Sequence, residues 1–197
     1  MIHRTHPTAK DTSPTPSGQH VQTISPQQAE KLIDALSDIT SRASAAIVAI
    51  PLAEAQQRTK DDLSPVTAAD EASEAIILEG LARLCPGVPV VAEESVSQGR
   101  LPDLIGGSFF LVDPLDGTKE FIAGRDEYTV NIALISDATP IAGVIAAPAQ
   151  GLLWRGVTSG LAERLRSDPC RFKIANATLK AGRGLCTSVL SFVTETN

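Results

Sequence analysis

The chain has 197 residues, 43% of them hydrophobic, which suits one domain with a sizeable core or one domain and a part of another. Aromatic residues make up only 4%, so that core has to be built from Ala, Val, Ile and Leu. The formal net charge of −6 excludes a nucleic-acid polymer as partner, because such binding needs basic patches to displace counterions. No apolar run approaches the roughly 18 residues a membrane span needs, and no charged segment followed by an apolar one marks a secretory leader. Cys85, Cys170 and Cys186 are isolated and odd in number, which predicts reduced thiols in a cytoplasmic chain, membrane-peripheral at most.

Residues 1–24 are polar and rich in Ser, Thr and Pro, and read as a disordered tail. His3, His6 and His20 lie here at spacings that fit no common metal site. A helix is expected from Ser25, where Ser25 caps, Pro26 suits the first turn and Gln28 completes a capping box. Ala29, Leu32, Ile33, Leu36, Ile39, Ala43, Ala46 and Ile47 recur at helical spacing, and Pro51 ends the run. A second helix is expected over 68–84, capped by Thr67, with Ala72, Ala75, Ile76, Leu78 and Leu81 as its buried stripe. Pro86 and Gly87 break it.

Strands follow. VPVVAEES (88–95) begins as a strand and runs into Glu93 and Glu94. FFLVD (109–113) is a second, with Pro114 expected to turn the chain sharply after it. Residues 128–135 and 140–147 read as a hairpin around Asp137-Ala138-Thr139, and 151–158 as a further strand. Two helices and then mostly strands predict a layered α+β fold, not a regular βαβ alternation.

Glu93, Glu94, Asp113 and Asp116 would gather four carboxylates at strand ends, where they repel unless hard cations neutralise them. Mg²⁺ suits such oxygen ligands, and paired ions can activate water in phosphoryl transfer. Within DPLDGTKEF (113–121), Asp113 and Asp116 can face one cation, with the Leu115 carbonyl as a further ligand. Gly117 permits close approach of an anion, and Thr118 and Lys119 open a short helix with free N–H groups. Taken alone, Asp113-Pro114 and Asp116-Gly117 read equally well as an ordinary turn, and Glu93-Glu94 as a solvated strand end. Asp70, three residues after Thr67, reads as the acidic member of a helix cap that can still face a cation. The three segments together favour the metal reading.

SPVTAAD (64–70), VVAEES (90–95) and DPLDGTKEFI (113–122) resemble, in order and spacing, the inositol monophosphatase superfamily. The SPVTAAD and TKEF versions, with YTVNIALI and PIAGVIAAPAQGLLWRG, resemble its 3′(2′),5′-bisphosphate nucleotidase (CysQ-type) branch. The resemblance covers roughly residues 28–166. It implies a layered αβαβα fold, of which mainly the N-terminal α+β half is present in 25–166. It implies two or three Mg²⁺ ions held by Glu93, Asp113, Asp116 and the Leu115 carbonyl. It further implies that Asp70 and Thr118 orient and deprotonate the attacking water, that Gly117 and Thr118 hold phosphate through backbone N–H groups, and that Lys60 assists substrate binding. Lithium inhibition is expected on the same ground.

The implied reaction removes the 3′-phosphate of adenosine 3′,5′-bisphosphate, giving AMP and phosphate in support of sulfur assimilation. Inositol-1-phosphate or fructose-1,6-bisphosphate hydrolysis is the alternative within the class. A family segment of the form WD-x-A-A-G, whose Asp completes the metal site, has no counterpart, since the single tryptophan, Trp154, is followed by Arg155. Residues 167–197 are read as an atypical tail standing where the C-terminal half of the family fold is missing. This allows a third reading, a catalytically impaired remnant that binds metal. It also predicts exposed sheet in 140–158 and association of the chain with itself.

Overall fold

The computed structural model describes residues 22–52, 58–59, 65–104, 107–168 and 171–175. Lys60, the three histidines, Cys170 and Cys186 lie outside them. Helix α1, Pro26–Ala49, opens on the expected box: the Gln28 amide donates to Ser25 Oγ at 3.3 Å, and the Ser25 amide to Gln28 Oε1 at 2.8 Å. Its buried face carries Ile33, Leu36, Ile39, Ala43 and Ile47. It also carries a row of small hydroxyl residues, Ser37, Thr40, Ser41 and Ser44. Each turns its hydroxyl back to the carbonyl four residues earlier, at 2.7–2.8 Å, so none is buried unpaired. A two-residue ribbon, β1 (Arg58–Thr59) with β2 (Pro65–Val66), leads into helix α2, Ala68–Leu84. Gly80 of α2 packs on Ile39 of α1, and an added Cβ there would lie 2.7 Å from Ile39 Cγ1.

The buried face of α2 is rotated from the expected one. Leu81 is buried as expected, but Ala72 and Leu78 are half-buried and Ala75 is exposed. Buried instead are Ala69, Asp70, Ser73, Glu74, Ile77 and Gly80. Counting apolar residues misses this face because three of its members are polar and turn towards the site.

The main sheet has seven strands in sequence order: β3 (Val90–Ala92), β4 (Ser108–Asp116), β5 (Thr129–Ser136), β6 (Thr139–Ala147), β7 (Leu152–Val157), β8 (Ala162–Asp168) and β9 (Arg171–Ala175). The β3–β4 pair is parallel and every other pair antiparallel. Short helices α3 (Glu93–Ser97) and α4 (Thr118–Ile122) follow β3 and β4. Alternation along the strands sends Phe110, Val112, Val130, Ile132, Leu134, Val144 and Leu153 into one core with α1 and α2. Phe109, Leu111, Ile145 and Trp154 lie on the opposite face and are half-buried. The hairpin between β5 and β6 closes on Asp137-Ala138, both with positive φ (48° and 58°), the left-handed pair that matches the sheet's twist.

Four expectations are corrected. Gln22–Ile24 is not loose tail: the Ser108 amide donates to the Gln22 carbonyl at 2.9 Å, the Ile24 amide to Ser108 Oγ at 2.8 Å, and Ile24 is buried. Pro114 does not end its strand. β4 runs to Asp116, with the register against β5 shifting between Asp113 and Asp116, a bulge that tolerates a residue lacking an N–H donor. Glu93 and Glu94 open helix α3 and do not extend the strand. Finally, β7 is not a sheet edge, because β8 and β9 continue the sheet into the segment read as tail. Among the described residues, no helix is long and apolar enough to cross a membrane.

Arg155 ties β7 and β8 to α1. Its Nε donates to Glu163 Oε2 at 2.8 Å and its guanidinium also pairs with Asp34. The Arg155 and Glu163 side chains are only 11% and 18% exposed, whereas Asp34 is 85% exposed. Arg155→Ala, which strands Glu163, is expected to cost about 2 kcal/mol in urea unfolding. Asp34→Ala should cost less than about 0.5 kcal/mol, as exposed pairs do. Equal losses from the two substitutions would contradict this assignment.

Candidate metal and phosphate site

The site forms where the start of α2, the β3–α3 junction and the β4 bulge meet. Asp70, at the third position of α2, is 1% exposed. Its Oδ2 accepts from the Thr67 amide and the Thr67 hydroxyl, both at 2.7 Å. Its Oδ1 receives the Thr118 hydroxyl at 3.0 Å, across 48 residues of sequence. Burial raises its pKa above the usual carboxylate range, against the lowering effect of the Thr67 and Thr118 bonds. Asp70 is therefore both the cap the sequence suggests and the partner of Thr118. The Thr118 oxygen also lies 3.1 Å from the Leu115 carbonyl, within reach of the same proton.

Asp113 is 4% exposed and accepts from the Leu115 amide at 3.1 Å. Its pKa is pushed up to about 8, chiefly by burial, then by the charges of Glu93 and Asp116 and by a hydrogen bond with the Glu93 carboxyl. Asp116 stands at the exposed rim. Partial burial and the Glu93 charge raise its pKa, opposed by bonds from Thr129 and Asn131. Glu94 is buried on α3, while Glu93 is exposed. The structure thus brings Glu93, Asp113 and Asp116 into one electrostatic unit, and Asp70 with Thr118 into another. The Leu115 carbonyl lies between them, beside Thr118.

Among the described residues, no three His, Cys, Asp or Glu side chains already close on a common point as a finished metal cage. The donor set nevertheless fits a hard divalent cation. All its donors are oxygens, and burial, with the charges of Glu93 and Asp116, raises the Asp113 pKa where a cation would favour the carboxylate.

Ser73 and Glu74 escaped the sequence reading. The Ser73 hydroxyl donates to the Pro114 carbonyl at 2.7 Å, pinning the β4 bulge to α2. The Ser95 hydroxyl donates to Glu74 Oε1 at 2.5 Å, linking α3 to α2. The available signal was their polar character at positions one helical turn from Asp70.

Gly117 caps α4 with φ +94°, and a Cβ there would lie 2.8 Å from the Glu127 carbonyl oxygen and 3.2 Å from Tyr128 Cα. Tyr128 in turn packs edge-on against Phe121, with ring centroids 5.4 Å apart. Gly117→Ala is expected to cost about 1–3 kcal/mol, combining left-handed strain with the clash. Gly99→Ala, at φ +76° with nothing within 4 Å of the added carbon, should cost about 1 kcal/mol from strain alone. Denaturant midpoints for the two variants decide it, and equal shifts would remove the close-packing argument.

Comparison with known proteins identifies the family. The model of the inositol monophosphatase family matches residues 22–191, most of the chain. The chain belongs to the inositol monophosphatase family. The match continues beyond Arg166 into the segment in which the sequence reading found no resemblance. The 3′(2′),5′-bisphosphate nucleotidase CysQ of Salmonella typhimurium is 47% identical over 49% of this chain and 42% of its own length. The match therefore spans less than half of that relative. Among solved structures, the inositol monophosphatase of Anabaena is 31% identical with a TM-score of 0.57, covering 68% of this chain and 47% of that one. The extragenic suppressor protein suhB of Bartonella henselae is 23% identical with a TM-score of 0.60, covering 78% and 55%, and supports the fold alone.

Proposed function

We propose that this phosphatase-family chain hydrolyses the 3′-phosphate of adenosine 3′,5′-bisphosphate in a Mg²⁺-dependent reaction, giving AMP and phosphate. The carrying observation is the 3.0 Å bond from Thr118 to Asp70 beside the neighbouring Glu93, Asp113 and Asp116 carboxylates. The similarity to CysQ supports the substrate. Mg²⁺, held by Glu93, Asp113, Asp116 and the Leu115 carbonyl, would supply charge neutralisation and a more acidic water.

The chain's own residues supply orientation and proton transfer. The Thr118 oxygen takes a proton from the attacking water as it passes its own proton to Asp70 Oδ1, which leaves hydroxide to attack and threonine neutral. Burial keeps Asp70 basic enough to take that proton. The water oxygen bonds to phosphorus as the bond to the ribose 3′ oxygen breaks, and the departing oxygen is protonated from solvent. The amides of Gly117 and Thr118 face the phosphate oxygens in this arrangement. Lys60 is assigned to the substrate, although it lies outside the described residues.

Phosphate release from adenosine 3′,5′-bisphosphate, inositol-1-phosphate and fructose-1,6-bisphosphate, with and without Mg²⁺, tests the assignment. The bisphosphate should have the highest kcat/KM, and preference for either other substrate would overturn it. A second reading is a metal-binding chain of impaired turnover, because the sequence holds no WD-x-A-A-G segment, its single Trp154 being followed by Arg155. It expects metal binding by the 197-residue chain with no measurable phosphate release from any of the three substrates.

A further inference from the structure

Glu74 is 5% exposed and sits one turn beyond Asp70 on α2. Its Oε1 accepts from Ser95 on α3, and its Oε2 is buried with no hydrogen-bond partner among the described residues. A buried carboxyl oxygen left unpaired costs stability, and an apolar side chain of similar shape would remove that cost. A residue placed at such a cost needs a role beyond stability.

That role follows from what Ser95 belongs to. Helix α3 has five residues, no side-chain cap at Ala92 and Glu94 as its sole buried residue. So short a helix has little stability of its own. Its position decides where Glu93 stands, because Glu93 is its first residue. Glu74 tethers it through Ser95, two residues further on. Arg100 reinforces the link, its Nη2 reaching Ser95 Oγ at 3.3 Å and its amide the Ser95 carbonyl at 2.9 Å. The neighbouring Ser73 holds the Pro114 carbonyl, so adjacent α2 side chains grip the two segments that bear Glu93 and Asp113.

We propose that Glu74 is a positioning residue, retained at a cost in stability, that fixes helix α3 and thereby sets Glu93 against Asp113 and Asp116. This rests on Glu93 being a metal ligand, as the proposed function has it. The test uses the 197-residue chain with Glu74→Leu and Glu74→Gln, reading thermal midpoint, Mn²⁺ affinity by calorimetry and amide exchange.

Glu74→Leu is expected to leave the midpoint unchanged or raised. It should speed exchange of the α3 amides about tenfold, with α1 and β5 unaffected. Mn²⁺ binding should weaken about tenfold, the scale seen when a residue supporting a metal ligand is lost. Glu74→Gln, which keeps an acceptor for Ser95, should stay within about threefold of wild type in exchange and affinity. Wild-type exchange in α3 of Glu74→Leu would overturn the proposal. So would a lowered midpoint with faster exchange throughout, which marks a merely structural residue. If the wild-type chain binds no Mn²⁺, the metal reading fails while the tether is still decided by the exchange pattern.

Discussion

Turnover falls by about two to four orders of magnitude when Thr118 becomes alanine, the range expected for loss of general-base assistance. The measurement is made at the matching threonine of a full-length family homologue. Thr118 donates its hydroxyl to Asp70 Oδ1, while Oδ2 is occupied by the Thr67 amide and hydroxyl. Metal affinity should be nearly unchanged, since Thr118 stands beside the carboxylate cluster and not in it. Thr118→Ser, which retains the hydroxyl, should recover most of the rate. Undiminished turnover in the alanine variant would remove the relay from the mechanism.

Asp113→Asn is expected to abolish Mg²⁺ binding and, at the same time, to stabilise the metal-free chain at alkaline pH. The second half follows from linkage. Asp113 titrates near 8 in the fold, against an ordinary value of 3.8. Between those values the folded chain holds a proton that the unfolded chain has released. Stability from this group is therefore fully present below the ordinary value and is lost as pH rises towards 8, with a slope of at most about 1.4 kcal/mol per pH unit. Asparagine carries no charge and escapes that loss. Melting curves from pH 5 to 9 should show the metal-free wild type declining more steeply than the variant, with saturating Mg²⁺ restoring only the wild type. Parallel curves would mean that Asp113 is not the buried, strained carboxyl described.

Much of this was legible in the sequence, and the failures share a cause. The bounds of α1 and α2 could be read because Ser25-Pro26-Gln28 and Thr67-Asp70 announce themselves through local hydrogen bonding, which needs no tertiary context. The carboxylates at β3 and β4 were legible for the same reason: each ends or interrupts an apolar run. The α2 face was not, because Ser73 and Glu74 are buried through partners 41 and 21 residues away. Pro114 suggested a strand end, yet the pairing of β4 with β5 carries the strand through it as a bulge. Strand β8, AERLRSD, offers one buried apolar residue, Leu165, among charges, and pairing with β7 and β9 makes it a strand. The Thr118–Asp70 contact was reached through family resemblance, since nothing local joins residues 48 apart.

Calorimetric titration of the 197-residue chain with Mg²⁺ or Mn²⁺, wild type against Asp113→Asn, tests the central claim most directly, because it asks whether the carboxylate cluster around buried Asp113 is a metal site and requires no turnover. The account predicts saturable binding by the wild type, with one or more protons released because the cation displaces the proton held on Asp113, and no measurable binding by the variant. Equal affinity in the two proteins, or binding by the wild type without proton release at neutral pH, would contradict it.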